Sequence, residues 1–306
     1  MENELEPIDL VVPYVDATDA KWQQLFLQYT PKSRDDAVNS IVRFRSAGNF
    51  WKYFFRGIEK NMPWIRKVFL LVQSESQVPK WLNQEYERIT IVTHDQFIPE
   101  QFLPTFTSTT IEMFLWNIPG LSEKFIYTND DTFAINPMTP ELFFEEDKLC
   151  DSADTVVYQK DDLWKNHCAN SQAVAFGISK EELIAGRVVI SYKHSFRPYF
   201  KRTMIECYKK NEAVIKESIS YFRTKNSINV YLFDNYNLKK QLFTKCQLRP
   251  VMITLKTGNS NIRPLLDSFA HTVCIQDTDT VMNVYGHPIL NNWFKEHFRE
   301  KSKFEK

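Results

Sequence analysis

The apolar positions of this chain fall into short runs whose period changes along its length. Ile8 to Val15 (IDLVVPYV), Lys67 to Gln73 (KVFLLVQ) and Arg88 to Thr93 (RITIVT) are nearly continuous apolar, β-branched stretches, the pattern of strands buried on both faces of a sheet. Between them, Ala20 to Tyr29 and Gly48 to Asn61 read as helices, and Ser108 to Asn117 predicts a third that leads through Pro119 and Gly120 into a strand at Lys124. Such alternation predicts an α/β fold, a mostly parallel sheet flanked by helices. Past Cys150 the pattern shifts: Gln172 to Ile178 reads as a strand, whereas Pro198 to Ser220, Ser227 to Leu242 and Ile289 to Lys303 read as helices. The expected organisation is an α/β core over 1–150 and a helix-rich part over 151–306 that completes the site, the two forming one compact catalytic unit.

Composition narrows the class. With 306 residues, 43% hydrophobic and 14% aromatic, the chain can bury a large core. Lys plus Arg and Asp plus Glu both total 38, so no global field recruits nucleic acid or an acidic membrane surface, and any phosphate must be held locally. Five cysteines without a paired short spacing argue against a zinc motif or a disulfide framework and favour a reducing compartment. The acidic start MENELEPIDL lacks a basic apolar leader, and no run of about 18 apolar residues occurs, so the expectation is a cytoplasmic protein.

The strongest chemical signal is KFIYTNDDTF, Lys124 to Phe133, where a short β-prone run opens onto Asp130 and Asp131. Open α/β sheets bind ligands outside the carboxyl ends of their strands, and Mg²⁺ takes one or two carboxylates plus phosphate oxygens. An Asn-Asp turn that merely ends a strand is the other reading. Only seven glycines are present and no glycine-rich phosphate loop, so phosphate would be held by metal and by side chains. Arg43, Arg45, Arg56, Lys193, Arg197 and Arg223 are the candidates, since guanidinium groups clamp phosphate oxygens in pairs.

Four separated blocks together resemble the Stealth family, which includes bacterial capsular polysaccharide phosphotransferases and the catalytic subunit of the animal N-acetylglucosamine-1-phosphotransferase. They are IDLVVPYVDATDAKW from Ile8; the long stretch from GNFWKYFFRGIEKNMPWIRKVFLLV at Gly48 to IPGLSEKFIYTNDDTF at Phe133; KHSFRPYFKRTMIECYKK from Lys193, followed by FRTKNSINVYLF; and CIQDTDTV from Cys274. The resemblance implies a Rossmann-like (GT-A-like) sheet and transfer of a sugar 1-phosphate from a UDP-sugar donor to a hydroxyl of a glycan acceptor, commonly lipid-linked in this family, with release of UMP. By the same resemblance Asp130, Asp131 and Asp277 would hold Mg²⁺ or Mn²⁺, with Asp131 and Asp277 also serving catalysis. His194 would act as general base, and Arg223 would offset the charge developing on the transferred phosphoryl group. Tyr14, Asp16, Thr18, Asp19 and Arg56 would contact the nucleotide, and membrane contact would be at most peripheral, at the inner face.

Other readings stay open for several of these residues. Tyr14 is equally a core aromatic, Asp277 a turn residue, His194 a structural histidine. The third block departs from the family's His-x-Pro, placing Phe196 where proline is expected; Gln276 and Trp116 replace a commoner asparagine and histidine. A metal-dependent GT-A glycosyltransferase releasing UDP, or a non-catalytic carbohydrate-binding protein, would use much of the same framework.

Overall fold

The computed structural model of the chain describes residues 6–30, 44, 47–255, 262–277 and 284–306. The first half runs β1 (Ile8–Pro13), α1 (Ala20–Tyr29), α2 (Lys52–Asn61), β2 (Val68–Val72), β3 (Ile89–Thr93), α3 (Ser108–Glu112), β4 (Lys124–Tyr127), β5 (Thr132–Ala134), β6 (Phe144–Glu145) and β7 (Lys148–Cys150). Next come β8 (Ala153–Val157), α4 (Leu163–Phe176), α5 (Lys180–Ala185), β9 (Val188–Tyr192), β10 (Arg197–Phe200) and α6 (Lys201–Ser218). The chain closes with α7 (Tyr231–Lys239), β11 (Phe243–Thr244), β12 (Pro250–Leu255), α8 (Arg263–Leu266), β13 (Thr272–Asp277) and α9 (Pro288–His297).

Strands of the central sheet lie in the order β10-β4-β1-β2-β3; β1 to β4 are mutually parallel, and β10 runs antiparallel to β4. Successive side chains point to opposite faces, and both faces are buried. Leu10 and Val12, Val68, Leu70 and Val72, and Ile126 meet Phe54, Phe55 and Ile58 of α2 and Leu290 and Phe294 of α9. On the other face Val11, Phe69, Leu71, Phe125 and Tyr127 pack with residues of α4, α6 and α7, among them Cys168, Met204 and Leu232. This double burial is why the strands read as unbroken apolar runs. At the amino edge Asp9, fully buried, is satisfied by the Arg66 fork at 2.8 and 2.6 Å and by the Ser122 N–H at 2.7 Å.

A second sheet, β12-β13-β5, grows from the strand that follows the acid pair, with β13 antiparallel to β5. Helix α2 lies close against it: Asn61 donates to the Ala134 carbonyl at 2.9 Å, and a Cβ on Gly57 would stand 2.6 Å from that same oxygen. The C-terminal segment is fastened to the first half of the chain. Phe304 is fully buried, Asn83 N–H donates to its carbonyl at 2.8 Å, and Glu305 is gripped by Arg56.

Several expected elements differ. Gln172–Ile178 is not a strand: Gln172 to Phe176 belongs to α4, which starts at an Asp162 cap and closes through Gly177 at φ 71°. Its small residues Ala169, Ser171 and Ala173 are buried in the helix interface, so an apolar run too short to show its period was misassigned. The helix expected from Pro198 begins at Lys201, because Arg197–Phe200 pairs with β4. Proline is tolerated there since β10 is an edge strand. The helix from Ser108 ends at Glu112, that from Ser227 starts at Tyr231, and the C-terminal helix ends at His297.

Gly57→Ala is expected to cost about 1–3 kcal/mol through forced separation of α2 from β5. Urea denaturation would show it as a lower midpoint at unchanged slope.

Candidate active site

The chain leaves β4 at Tyr127 and turns through Asn129, Asp130 and Asp131 into β5. Three contacts fix that turn. Thr132 N–H donates to the Asn129 carbonyl at 3.2 Å, the Trp51 indole N–H to the Asp130 carbonyl at 3.2 Å, and Ile275 N–H of β13 to the Asp131 carbonyl at 2.8 Å. Trp51 is fully buried and stacks on Tyr14 with centroids 4.1 Å apart. Tyr14, itself buried, thus supports the indole that anchors the acids.

His194 comes from the loop between β9 and β10. Because β10 runs against β4, that loop arrives beside the end of β4, and His194 Nε2 lies 3.0 Å from Asp131 Oδ1. Both side chains keep about a quarter of their surface exposed, at 27% and 25%, so solutes can reach them. Cys274 of β13 is fully buried beside them. Burial, reinforced by the charge of Asp131, pushes the Asp130 carboxyl up to about 7. Asp131 moves the other way: burial alone would raise it, but the His194 charge and hydrogen bonds from His194, Thr132 and Cys274 hold it below the usual carboxylate range. His194 is correspondingly raised well above an ordinary histidine, the Asp131 charge overcoming the penalty of burial. Two adjacent acids are therefore driven apart, one keeping its proton near neutrality and one ionised.

The remaining sequence candidates divide. Arg223 donates to Ser108 Oγ at 3.1 Å, and its charge acts on the buried Glu112 beneath the site. Asp16 and Thr18 lie in the loop after β1, where Asp16 Oδ1 accepts from Thr18 N–H at 2.9 Å and from its hydroxyl at 2.6 Å. Asp19 caps α1 by accepting from Trp22 N–H at 2.7 Å. Arg56 is not brought to the acids: its fork holds Glu305 at 2.7 and 2.8 Å and the Phe298 carbonyl at 2.9 Å. Arg197 is buried between Asp151 and Asp234, at 2.7 Å from each, and so is a structural cation. Lys193 is exposed next to His194, and Asp277 ends β13, three residues past Cys274, its side chain lying outside the described residues. Arg43 and Arg45 also lie outside them.

Sequence reading overlooked Glu112, Tyr127 and Cys274, which carry no motif of their own. Cys274 is the instructive case. Asp131, His194 and Cys274 each bring a ligand atom within 4.8 Å of the others, from segments so far apart that spacing rules cannot find them. That oxygen, nitrogen and sulfur set suits a borderline ion such as Zn²⁺, whereas the carboxylates of Asp130 and Asp131 supply the hard oxygens that fit Mg²⁺ or Mn²⁺.

A family model described as Stealth protein CR2, conserved region 2, matches residues 43–152. The receptor polysaccharide phosphotransferase WefC of Streptococcus gordonii is 30% identical over 264 residues, 76% of this chain and 78% of that protein. The capsular polysaccharide phosphotransferase fcs1 of Haemophilus influenzae is 30% identical over 324 residues, 95% of this chain and 84% of that protein. The exopolysaccharide phosphotransferase cps2G of Lactiplantibacillus plantarum is 43% identical over 142 residues, which span 46% of this chain and 40% of that protein.

The raised carboxyl of Asp130 has a measurable sign. Between the unfolded value near 4 and about 7 the folded chain holds a proton that the unfolded chain has lost, so this group erodes stability as pH rises through that window. With chelator present, Asp130→Asn should raise Tm most above pH 7, on the order of 2 °C per kcal/mol regained, and the gain should shrink steadily toward pH 4.

Proposed function

This chain belongs to the Stealth family of polysaccharide phosphotransferases, and from that premise we propose that it transfers a hexose 1-phosphate from a UDP-sugar to a hydroxyl of a glycan acceptor during surface-polysaccharide synthesis. The acceptor oxygen attacks the sugar-proximal phosphorus, a phosphodiester forms, and the P–O bond to UMP breaks with its electron pair leaving on UMP. The observation that carries the reading is the Asp131–His194 contact of 3.0 Å at the carboxyl edge of the parallel sheet, where such folds receive nucleotides.

Asp130 and Asp131 would hold Mg²⁺ or Mn²⁺, which when bound supplies charge neutralisation on the pyrophosphate. The rest of the chemistry falls to the chain itself. Asp131 engages Nε2 of His194 and keeps the resting ring protonated; once that carboxylate's charge is neutralised, Nδ1 would lose its proton and could then take that of the acceptor hydroxyl as attack proceeds. Arg223 would meet the non-bridging oxygens of the phosphoryl group in flight, where a planar fork outperforms an ammonium. The loop after β1, with Asp16, Thr18 and Asp19, would border the nucleoside, while Tyr14 would act only from beneath, through Trp51. Asp277, at the end of β13, would complete the metal shell.

Among the described residues no helix is long and apolar enough to cross a membrane. The proposal sets the reaction in the cytoplasm, with at most peripheral contact at the membrane face where a lipid-linked acceptor would be presented. The balanced formal charge gives no reason to invoke nucleic acid.

Incubation with a panel of UDP-sugars, an acceptor glycan and Mg²⁺ should release UMP and put phosphorus into the product. His194→Ala and Arg223→Lys should each lower kcat by roughly 10²–10⁴-fold. Release of UDP with a phosphorus-free product would replace phosphotransfer by glycosyl transfer.

A further inference from the structure

Behind the Asp131–His194 contact a line of polar groups runs inward from His194 through otherwise apolar packing. Nε2 of the ring is 3.0 Å from the Asn129 amide, whose other end meets the Tyr127 hydroxyl at 2.9 Å. That hydroxyl also reaches Glu112 Oε1 at 3.2 Å, and Glu112 Oε2 accepts the Val230 N–H at 2.8 Å. Glu112 and Tyr127 are both buried. Burial lifts the Glu112 carboxyl above its ordinary range, against the opposing pull of the Val230 N–H, the Arg223 charge and hydrogen bonds from Tyr127 and Ser108. Ser108 is in turn the partner of Arg223. One carboxyl therefore stands at the junction of two paths, one leading to His194 and one to Arg223.

Donor and acceptor order along the first path is constrained. The Asn129 oxygen and nitrogen exchange by a half-turn of the amide. With the single Nε2–H shared between Asp131 Oδ1 and Asn129, each 3.0 Å away, the satisfied order sets the amide oxygen toward the ring, lets the amide NH₂ donate to Tyr127, and lets the Tyr127 O–H donate to Glu112. Each group then faces its complement, and the end of the line must be an acceptor. A glutamate that served only to cap the start of α7 would need the Val230 contact alone.

We propose that Glu112 is a positioning residue of the phosphotransfer site, setting the His194 ring through Tyr127 and Asn129 and the Arg223 guanidinium through charge and Ser108. This rests on the phosphotransfer reading given above. It requires no contact between Glu112 and substrate. It does require that a change at Glu112 or Tyr127 be felt at His194 before any substrate is bound.

The test uses the full chain with ¹⁵N-labelled histidine, together with Glu112→Gln, Tyr127→Phe and the double variant. Ring ¹⁵N signals of His194, identified by their loss in His194→Ala, should shift in both single variants at fixed pH. In turnover assays kcat should fall roughly 10–100-fold while the donor KM holds within about twofold. The double variant should be little worse than either single one, as coupled members of one network require. Tyr127→Phe removes a single oxygen from the line, so it keeps the test interpretable if Glu112→Gln fails to fold. Unshifted His194 signals in a folded Tyr127→Phe protein, or additive losses in the double variant, would overturn the proposal. Shifted signals in a protein that makes no phosphodiester would instead overturn the functional reading and leave the positioning network supported.

Discussion

β10 runs against β4, and the site depends on that reversal. Had β10 been added parallel, as β1 to β4 are, the end of β4 would lie beside the start of α6, and the loop carrying His194 would open at the opposite edge. Antiparallel pairing, Arg197 with Tyr127 through Phe200 with Lys124, instead delivers the residues before β10 to the carboxylates after β4. Two segments 63 residues apart thereby place Nε2 against Oδ1. The same strand ties the second half of the chain into the sheet of the first, so the helices of the later half pack onto a surface that the earlier half supplies.

Charge at the site is arranged by unequal compensation. Asp131 has a cationic neighbour and two further hydrogen-bond donors, while Asp130 has burial and a like charge, and the two acids part accordingly. A few residues away the balance is different again, with Arg197 between Asp151 and Asp234 and lying over the Tyr192 ring at 4.5 Å. Its weaker bond to the Lys193 carbonyl, at 3.4 Å, reaches the residue directly before His194. Pairs of this kind are costly to bury and more costly to break. Their value here is to fix where the β9–β10 loop begins and ends.

Much of the sheet was legible because both its faces are covered, so the strands appear as unbroken apolar runs such as LVV and FLLV. The acid pair was legible for a related reason: a turn at a strand end needs polar residues, and two carboxylates in succession exceed what a turn requires. Less could be read where tertiary pairing decided the outcome. RPYF became a strand only because β4 had an open edge, and QAVAF remained helical because its small side chains fit between neighbouring helices. Arg56 and Arg197 looked like phosphate clamps in isolation, and nothing local announces Glu305 or Asp234 as their partners. Cys274 was passed over because cysteine motifs are recognised by spacing, and its companions come from the β4–β5 turn and the β9–β10 loop.

The register of β10 on β4 has one further consequence. Tyr199 packs with Phe125 on one face of the sheet, ring centroids 5.7 Å apart, while Phe200 joins the core on the other. A slip of one residue would exchange those two rings between faces and carry the imidazole about 3.3 Å along the strand. Two aromatic side chains deep in the packing thus act as the vernier for an atom they never touch, so that drift in core volume would be felt as misalignment of the Asp131–His194 contact.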